Sequence, residues 1–222
     1  MAQSIYEQLE IPERFRDVAV RKHKAEFISQ FIKENQLKRT LETGFGYGCS
    51  AAYIIHATGS QHIAIDPTPE IWGNLGFKNL EKLGLRQHLH FIKDKSHNAL
   101  PRLLAEGTKL DFAFIDGNHM FEYIMVDFHF IDQMLEKGGY VLFDDAWMRS
   151  TQLVASYIRK NRRDYKEMKR PDYTIMFQKI GGDRRKWYHF KEFYTLKGLI
   201  WYWKNVWRNK KQWDYEYYAR KH

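Results

Sequence analysis

The chain has 222 residues, a net charge of +9 and a hydrophobic content of 44%, which suffices for one globular domain with a sizeable core. Its single cysteine, Cys49, excludes an intramolecular disulfide and favours a cytosolic protein. The first ten residues lack the basic start and apolar run of a signal peptide, and no apolar segment approaches the ~18 residues of a membrane span. We therefore expect a cytoplasmic protein, either soluble or peripheral at the inner face of the membrane.

The positive charge is concentrated at the carboxyl end. Residues 1–180 carry a net charge of +2, whereas residues 181–222 carry +7 and 13 of the 36 aromatic residues. The glycine pair at 181–182 marks the change in composition. This predicts a folded domain over residues 1–181 and a basic, aromatic extension over residues 182–222.

Apolar periodicity predicts the elements of the body in chain order. Helical spacing predicts a lead-in helix within residues 19–36. Apolar runs that end in glycine or an acid predict strands at 41–44, 62–66, 89–94, 110–116 and 140–145. Helices are predicted between these strands and over 150–160, followed by two strands, 165–170 and 173–180, joined by a tight turn. The alternation predicts a doubly wound α/β fold whose seven-stranded, mostly parallel sheet ends in an antiparallel hairpin.

The first predicted strand runs into a glycine-rich segment, LETGFGYGCS at 41–50. Gly44, Gly46 and Gly48 allow the backbone to turn sharply and to approach a ligand at the carboxyl end of the strand. A pyrophosphate-binding fingerprint would have glycine in place of Cys49. The carboxylate of Glu42 would repel a pyrophosphate but suits an ammonium group. The pattern favours the amino-acid end of S-adenosylmethionine, and a tight turn without a ligand is the alternative.

Acidic residues follow the second and third predicted strands. Asp66 ends the second strand, where an acid commonly accepts hydrogen bonds from the ribose hydroxyls of an adenosine ligand. A nicotinamide cofactor would use such an acid equally well. Asp94, with Ser96 close by, follows the third strand and is placed to meet the adenine amino group. The alternative for Asp94 is a solvated loop acid.

Three carboxylates end the fourth and fifth predicted strands: Asp116, Asp144 and Asp145. Because neighbouring parallel strands lie ~4.8 Å apart, we expect these carboxylates to converge at one edge of the sheet. A divalent cation would relieve their repulsion, and oxygen ligands suit Mg²⁺ or Mn²⁺. The alternative is that some of these acids cap the following helices.

His119 lies three residues beyond Asp116, just before a predicted helix. A histidine held beside the metal could take the proton from an acceptor hydroxyl. The alternative is a histidine that makes a structural hydrogen bond at the start of the helix.

Three segments resemble the motifs of class I S-adenosylmethionine-dependent methyltransferases: LETGFGYGCSAAYI, IAID and FAFIDGNHMFEYIMVDFHFIDQMLEKGGYVLFDD. They are similar in particular to bacterial sugar O-methyltransferases of antibiotic pathways and to catechol-type O-methyltransferases, over about residues 20–180. The resemblance implies a Rossmann-like methyltransferase fold, metal ligands at Asp116, Asp144 and Asp145, and a base at His119. The candidate cofactor residues are Glu42, Gly44, Gly46, Gly48, Ser50, Asp66, Asp94, Ser96 and Asp116.

The sequence therefore predicts a metal-assisted O-methyltransferase that acts on a hydroxyl of a small molecule or saccharide. An RNA methyltransferase that uses the basic extension to hold RNA is the leading alternative. A cofactor-binding module without catalysis is another, and the D-x-x-H and D-D motifs argue against it. A nicotinamide oxidoreductase is disfavoured by Cys49 and Glu42.

Residues 191–211 carry apolar side chains at spacings of three and four, with lysines and arginines largely between them. Such a stripe most commonly packs on its own domain or on a second subunit, which would make a homo-oligomer. A second interpretation is a helix at the surface of an anionic membrane. A third, less favoured, is contact with nucleic acid through base stacking and phosphate binding.

Overall fold

A computed structural model describes residues 4–16, 19–171, 173–186, 189–191, 196, 200 and 203–204. Within these ranges the helices are α1 (Ile5–Gln8), α2 (Lys22–Glu34), α3 (Cys49–Thr58), α4 (Leu75–Lys82), α5 (Ser96–Ala105), α6 (Phe121–Met134) and α7 (Arg149–Asn161). The strands are β1 (Thr40–Thr43), β2 (His62–Ile65), β3 (Leu89–Ile92), β4 (Leu110–Ile115), β5 (Leu135–Phe143), β6 (Tyr165–Glu167) and β7 (Ile175–Lys179). Among the described helices, none is both long and apolar enough to cross a bilayer.

The strands form one seven-stranded sheet in the order β3-β2-β1-β4-β5-β7-β6. Strands β1 to β5 are parallel, and β7 pairs antiparallel with both β5 and β6. The predicted doubly wound sheet with a terminal hairpin is confirmed. The chain builds one half of the sheet outward from β1 and then returns to add β4 on the other side of β1. Ligands bind such sheets beyond the carboxyl ends of the strands, at this point of reversal.

Helices cover both faces of the sheet, which explains why its strands are apolar on both sides. On one face, Phe112 and Phe114 of β4 pack in a cluster with Ile28 and Ile32 of α2. On the other face, α5, α6 and α7 contribute to a second cluster that includes Phe128 of α6. The covered sheet holds the carboxyl ends of β1, β2, β4 and β5 along one edge.

The boundaries differ from the prediction mainly at β5. This strand begins at Leu135, directly after α6, and Leu135 pairs with Leu110 before the register shifts. Gly138 has a φ of +94° within this segment, a conformation that glycine adopts without strain. The hydrogen bond from Met168 N to Met176 O extends the pairing of β6 and β7 by one residue.

The chain beyond the sheet remains attached to α7 as far as residue 191. Arg185 donates a hydrogen bond to the Tyr157 hydroxyl at 2.7 Å. The Asn161 side chain bonds both backbone groups of Lys191, at 2.7 and 2.8 Å. Most of the predicted stripe at 191–211 lies outside the described residues. The division of the chain at residues 181 and 182 stays a prediction.

Candidate active site

The glycine loop that follows β1 is shaped by close backbone packing on one side and open space on the other. Gly44 has a φ of +89°, and a Cβ at this position would lie 2.2 Å from the carbonyl oxygen of Asp116. Only glycine therefore lets the end of β1 pass the end of β4 this closely. Gly46 has a φ of +48°, and a Cβ there would meet no atom within 4 Å. The loop thus presents an open side on which a ligand can lie.

Asp66 lies at the end of β2 and faces the glycine loop, as the sequence predicts. Its Oδ2 accepts hydrogen bonds from the backbone N–H groups of Phe45 at 3.1 Å and Gly46 at 3.2 Å. Its Oδ1 accepts one from Thr68 N–H at 2.9 Å. A carboxylate offers about four acceptor positions, so Asp66 holds the loop and keeps acceptor capacity for a ligand hydroxyl.

Glu42 lies beneath the loop, in the interior. Its side chain is fully buried, and its Oε1 lies 3.5 Å from His62 Nε2. Neither Glu42 oxygen accepts a hydrogen bond from the described residues. His62 is itself oriented by Thr40 Oγ1, 2.8 Å from Nδ1. Ser50, in the first turn of α3, is also buried. The cofactor-binding roles of Glu42 and Ser50 stay predictions.

The carboxylate of Asp94 serves the start of α5. It accepts hydrogen bonds from Asn98 Nδ2 at 3.0 Å, Arg102 Nη2 at 2.7 Å and Lys95 N–H at 2.7 Å. These bonds, in that order of effect, lower the pKa of Asp94 to about 2. Ser96 is the first residue of α5. These hydrogen bonds of Asp94 are all made with its own loop and with α5. An adenine contact for Asp94 or Ser96 stays a prediction.

Asp116, His119 and Asp145 converge where β4 and β5 end. One potential ligand atom from each lies within 4.8 Å of the others, and His119 Nε2 is 3.3 Å from Asp145 Oδ2. Burial raises the pKa of Asp116 well above its usual value, and the charges of Asp144 and Asp145 raise it further. A divalent cation would offset this repulsion. The donor set of two carboxylates and one imidazole fits a divalent metal ion.

Asp145 is held in an unusual conformation at this cluster. It has a φ of +47°, which is rare for a residue with a side chain. Its Oδ1 accepts a hydrogen bond from the Trp147 indole N–H at 2.9 Å, while Oδ2 faces His119. Such strained and hydrogen-bonded residues are found disproportionately at functional sites. The turn after β5 therefore aims this carboxylate at His119.

Asp144, the third predicted metal ligand, is engaged differently. Its Oδ1 contacts Lys24 Nζ of α2, and both side chains are buried. Burial raises the pKa of Asp144, and the Lys24 ammonium opposes that rise. The structure therefore groups Asp116 and Asp145 with His119 and gives Asp144 a cationic partner from the protein. A metal-binding role for Asp144 stays a prediction.

A narrow crevice adjoins this cluster. It is lined by apolar and polar residues: Ile115, Gly117, Asn118, His119, Ile124, Phe143, Asp144 and Thr151. Thr151 is buried, and its hydroxyl has no hydrogen-bond partner among the described residues. Thr151 and His119 both line this crevice.

Two buried charged residues near the site were not predicted from the sequence. Lys24 lies one helical turn before Ile28, on the buried side of α2. Asp127 lies between the apolar positions Ile124 and Phe128 on the buried face of α6. Burial raises the pKa of Asp127 to about 6. A charged residue within an apolar stripe is the signal that would have identified both.

Comparison with known proteins agrees with the fold. Residues 41–146 match a family described as a methyltransferase domain. A protein of Arabidopsis thaliana, named for similarity to caffeoyl-CoA O-methyltransferases, is 25% identical over 144 residues, which are 63% of this chain. The chain spans about 60% of the length of that relative.

Solved structures show the same fold at low sequence identity. The O-methyltransferase TomG of Streptomyces achromogenes, solved with S-adenosylmethionine, superposes with a TM-score of 0.67 at 16% identity and covers 82% of this chain and 91% of its own. An O-methyltransferase of Bacillus cereus, solved with S-adenosylhomocysteine, superposes with a TM-score of 0.61 at 12% identity, covering 72% and 83%. At these identities the likeness establishes the fold.

Proposed function

We propose that this chain is a class I S-adenosylmethionine-dependent methyltransferase that transfers a methyl group to a hydroxyl oxygen of a small molecule or saccharide. One observation carries the proposal. The glycine loop with Asp66 and the cluster of Asp116, His119 and Asp145 lie along the same edge of the sheet. The proposed cofactor site therefore lies on the same edge of the sheet as His119, whose imidazole can accept a proton.

The residues of the loop fit an adenosine cofactor that ends in an amino acid. The open side of Gly46 lets the ligand approach the backbone, and Asp66 retains acceptor capacity for ribose hydroxyls. Nucleoside methyl donors carry a sulfonium group, which is intrinsically reactive toward nucleophiles. The protein therefore contributes mainly alignment of the acceptor and removal of one proton.

The proposed transfer needs one base. S-adenosylmethionine, held by the glycine loop and Asp66, would supply the methyl group to the acceptor oxygen and would keep the electron pair of its broken sulfur–methyl bond on sulfur. The hydroxyl proton passes to the imidazole of His119. Asp145, held by Trp147, orients this ring.

We further propose that Mg²⁺ or Mn²⁺ assists, held by Asp116 and Asp145. A bound cation makes a nearby hydroxyl easier to deprotonate. The proximity of the two carboxylates and the raised pKa of Asp116 support this assignment. Lys24 neutralises Asp144. Within the described residues, Asp116 and Asp145 have no ion pair with lysine or arginine, so the cation would balance these two carboxylates.

The test of the proposed function is cofactor binding with a matched pair of variants. Calorimetry should show binding of S-adenosylmethionine, and Asp66→Ala should weaken it by at least about tenfold, because the variant loses the ribose acceptor and the anchor of the loop. Asp111→Ala is the control, since Asp111 lies at the opposite end of β4 and pairs with Arg39. Binding of NADH without binding of S-adenosylmethionine would overturn the proposal.

A further inference from the structure

Asn79 of α4 connects two segments that are far apart in the sequence. Its side chain is 1% exposed. Its Oδ1 accepts a hydrogen bond from Glu10 N–H at 2.7 Å, and its Nδ2 donates to the carbonyl oxygens of Glu10 at 3.2 Å and Tyr47 at 3.0 Å. Tyr47 lies in the glycine loop. One buried amide thus joins the amino-terminal segment, defined here as residues 4–16, to the backbone of the cofactor loop.

Helix α4 packs directly against the same loop. A Cβ on Gly76 would lie 2.5 Å from the Phe45 ring and 2.8 Å from the carbonyl oxygen of Gly46. A Cβ on Gly48 would lie 3.0 Å from the carbonyl oxygen of Gly76. Because this packing leaves no room for a methyl group, the loop cannot move toward α4 without displacing α4 and Asn79.

The amino-terminal segment has further contacts that place it over the loop. Lys82 Nζ donates a hydrogen bond to the carbonyl oxygen of Gln8 at 2.8 Å. Near the other end of the segment, the Phe15 ring lies 6.2 Å from the ring of Tyr47 and 5.9 Å from that of Trp72, measured between centroids. The contact of Lys82 holds the segment without touching the loop. The contacts of Asn79 and Phe15 join the segment to Tyr47 of the loop.

We propose that Asn79 is a positioning residue that couples docking of the amino-terminal segment to the cofactor-binding conformation of the glycine loop. The buried amide of Asn79 makes all three of its hydrogen bonds only when both segments are in place, and an unsatisfied buried amide is costly. By linkage, a ligand that stabilises the loop stabilises the docked segment, and the docked segment strengthens ligand binding by the same factor. The inference rests on the proposed function because the ligand is an adenosylmethionine-type cofactor.

The experiment compares Asn79→Ala with Lys82→Ala in the full-length protein, using S-adenosylhomocysteine as the ligand. Calorimetry measures the affinity, and limited trypsin cleavage after Arg14 and Arg16 measures docking of the segment. In the wild-type protein, the ligand should slow cleavage. Asn79→Ala should speed cleavage, reduce its protection by ligand and raise the Kd at least about tenfold, the value expected for loss of one or two hydrogen bonds. Lys82→Ala should speed cleavage but keep protection by ligand and affinity within about twofold.

Asn79→Asp provides a second variant if the alanine variant does not fold. It keeps the size and the acceptor for Glu10 N–H but cannot donate to Tyr47, so it should also lose affinity and protection. Wild-type affinity together with protection by ligand in either folded Asn79 variant would overturn the coupling. Failure of the wild-type protein to bind S-adenosylhomocysteine would instead overturn the proposed function, on which the coupling depends.

Discussion

The Lys24 ammonium contacts the Asp144 carboxylate across 120 residues of sequence, and the two side chains are only 7% and 6% exposed. This ion pair joins α2 to the end of β5, next to the cluster of Asp116, His119 and Asp145. It neutralises one of the three carboxylates that the sequence places at this edge. A buried pair of this kind is costly to break, because the remaining charge has no water to solvate it.

We predict that Lys24→Met destabilises the protein by about 3–5 kcal/mol at neutral pH, as expected when one partner of a buried pair is removed. Urea unfolding measures the change. Lys22→Met is the matched control on the same helix, because Lys22 forms an exposed pair with Glu7 and should lose less than about 1 kcal/mol. Equal effects of the two substitutions would contradict the role assigned to Lys24.

We predict that Mn²⁺ binds the protein. Asp116→Asn and Asp145→Asn should each lower the affinity for Mn²⁺ at least about tenfold, because each removes a charged ligand. Electron paramagnetic resonance of free Mn²⁺ measures the affinity. Chelation should abolish turnover and leave binding of S-adenosylhomocysteine nearly unchanged. Glu122→Gln is the control, as Glu122 is an exposed acid at the start of α6. Full activity in excess chelator would refute the metal.

We predict that His119→Ala lowers kcat by roughly 10²–10⁴-fold, the usual contribution of a general base. Affinity for the cofactor should change little. His129→Ala is the control, since His129 lies on the exposed face of α6. If the His119→Ala variant keeps most of its activity, His119 is not the base. If the variant loses affinity for Mn²⁺, His119 is a metal ligand.

We predict that ionisation of Asp127 destabilises the fold. Burial raises its pKa from 3.8 to about 6, so the folded protein binds this proton more tightly than the unfolded chain. Stability therefore falls as the pH rises from about 4 through about 6. Asp127→Asn should be more stable than wild type at pH 7.5, by up to about 3 kcal/mol, and the difference should vanish near pH 4.

The control for Asp127 is Asp111, whose pKa is lowered in the folded protein rather than raised. Burial acts to raise the pKa of Asp111, but its hydrogen bonds with Arg39 outweigh burial and lower it. Asp111→Asn should therefore be less stable than wild type at pH 7.5, and this deficit should shrink in acid. Urea unfolding at several pH values measures both. A wild-type protein that gains stability relative to Asp127→Asn as the pH rises would contradict the assignment.

We predict that the extension is a surface element rather than part of the core. Leu196, Ile200 and Trp203, the described members of its apolar stripe, are 74%, 51% and 61% exposed. Deletion of residues 192–222 retains the contacts of Arg185 and Lys191 with α7 and should change Tm by less than a few degrees. Full-length protein alone should sediment with anionic vesicles and be released by salt.

Two other outcomes would contradict the prediction that the extension binds the surface of an anionic membrane. A fall in Tm of several degrees, or aggregation, would indicate that the stripe packs on the domain or on a second subunit. Tight binding of RNA with a steep salt dependence that the deletion flattens would favour an RNA substrate. Deletion of residues 183–222 is the comparison, and it should be more destabilising because it also removes the contacts with α7.

The sequence determined the parts of this protein that depend on local pattern. Apolar runs that end in Asp66, Asp116 and Asp144 located three strands and their carboxyl ends, because strand burial and side-chain alternation are periodic along the chain. Glycines at 44 and 46 located the loop, because only certain residues adopt left-handed backbone conformations. These features follow from a few adjacent residues.

Only the tertiary structure decided which polar groups meet. Asp94 is one of the cofactor residues predicted from the sequence, yet its carboxylate accepts hydrogen bonds from Asn98 and Arg102 of α5. Asp144 contacts Lys24 and leaves Asp116 and Asp145 beside His119. Periodicity shows that a helix face is buried but not what it is buried against. The partner of a buried charge is set by how distant elements pack, and hydrogen-bond geometry then admits only the groups brought within about 3 Å of one another.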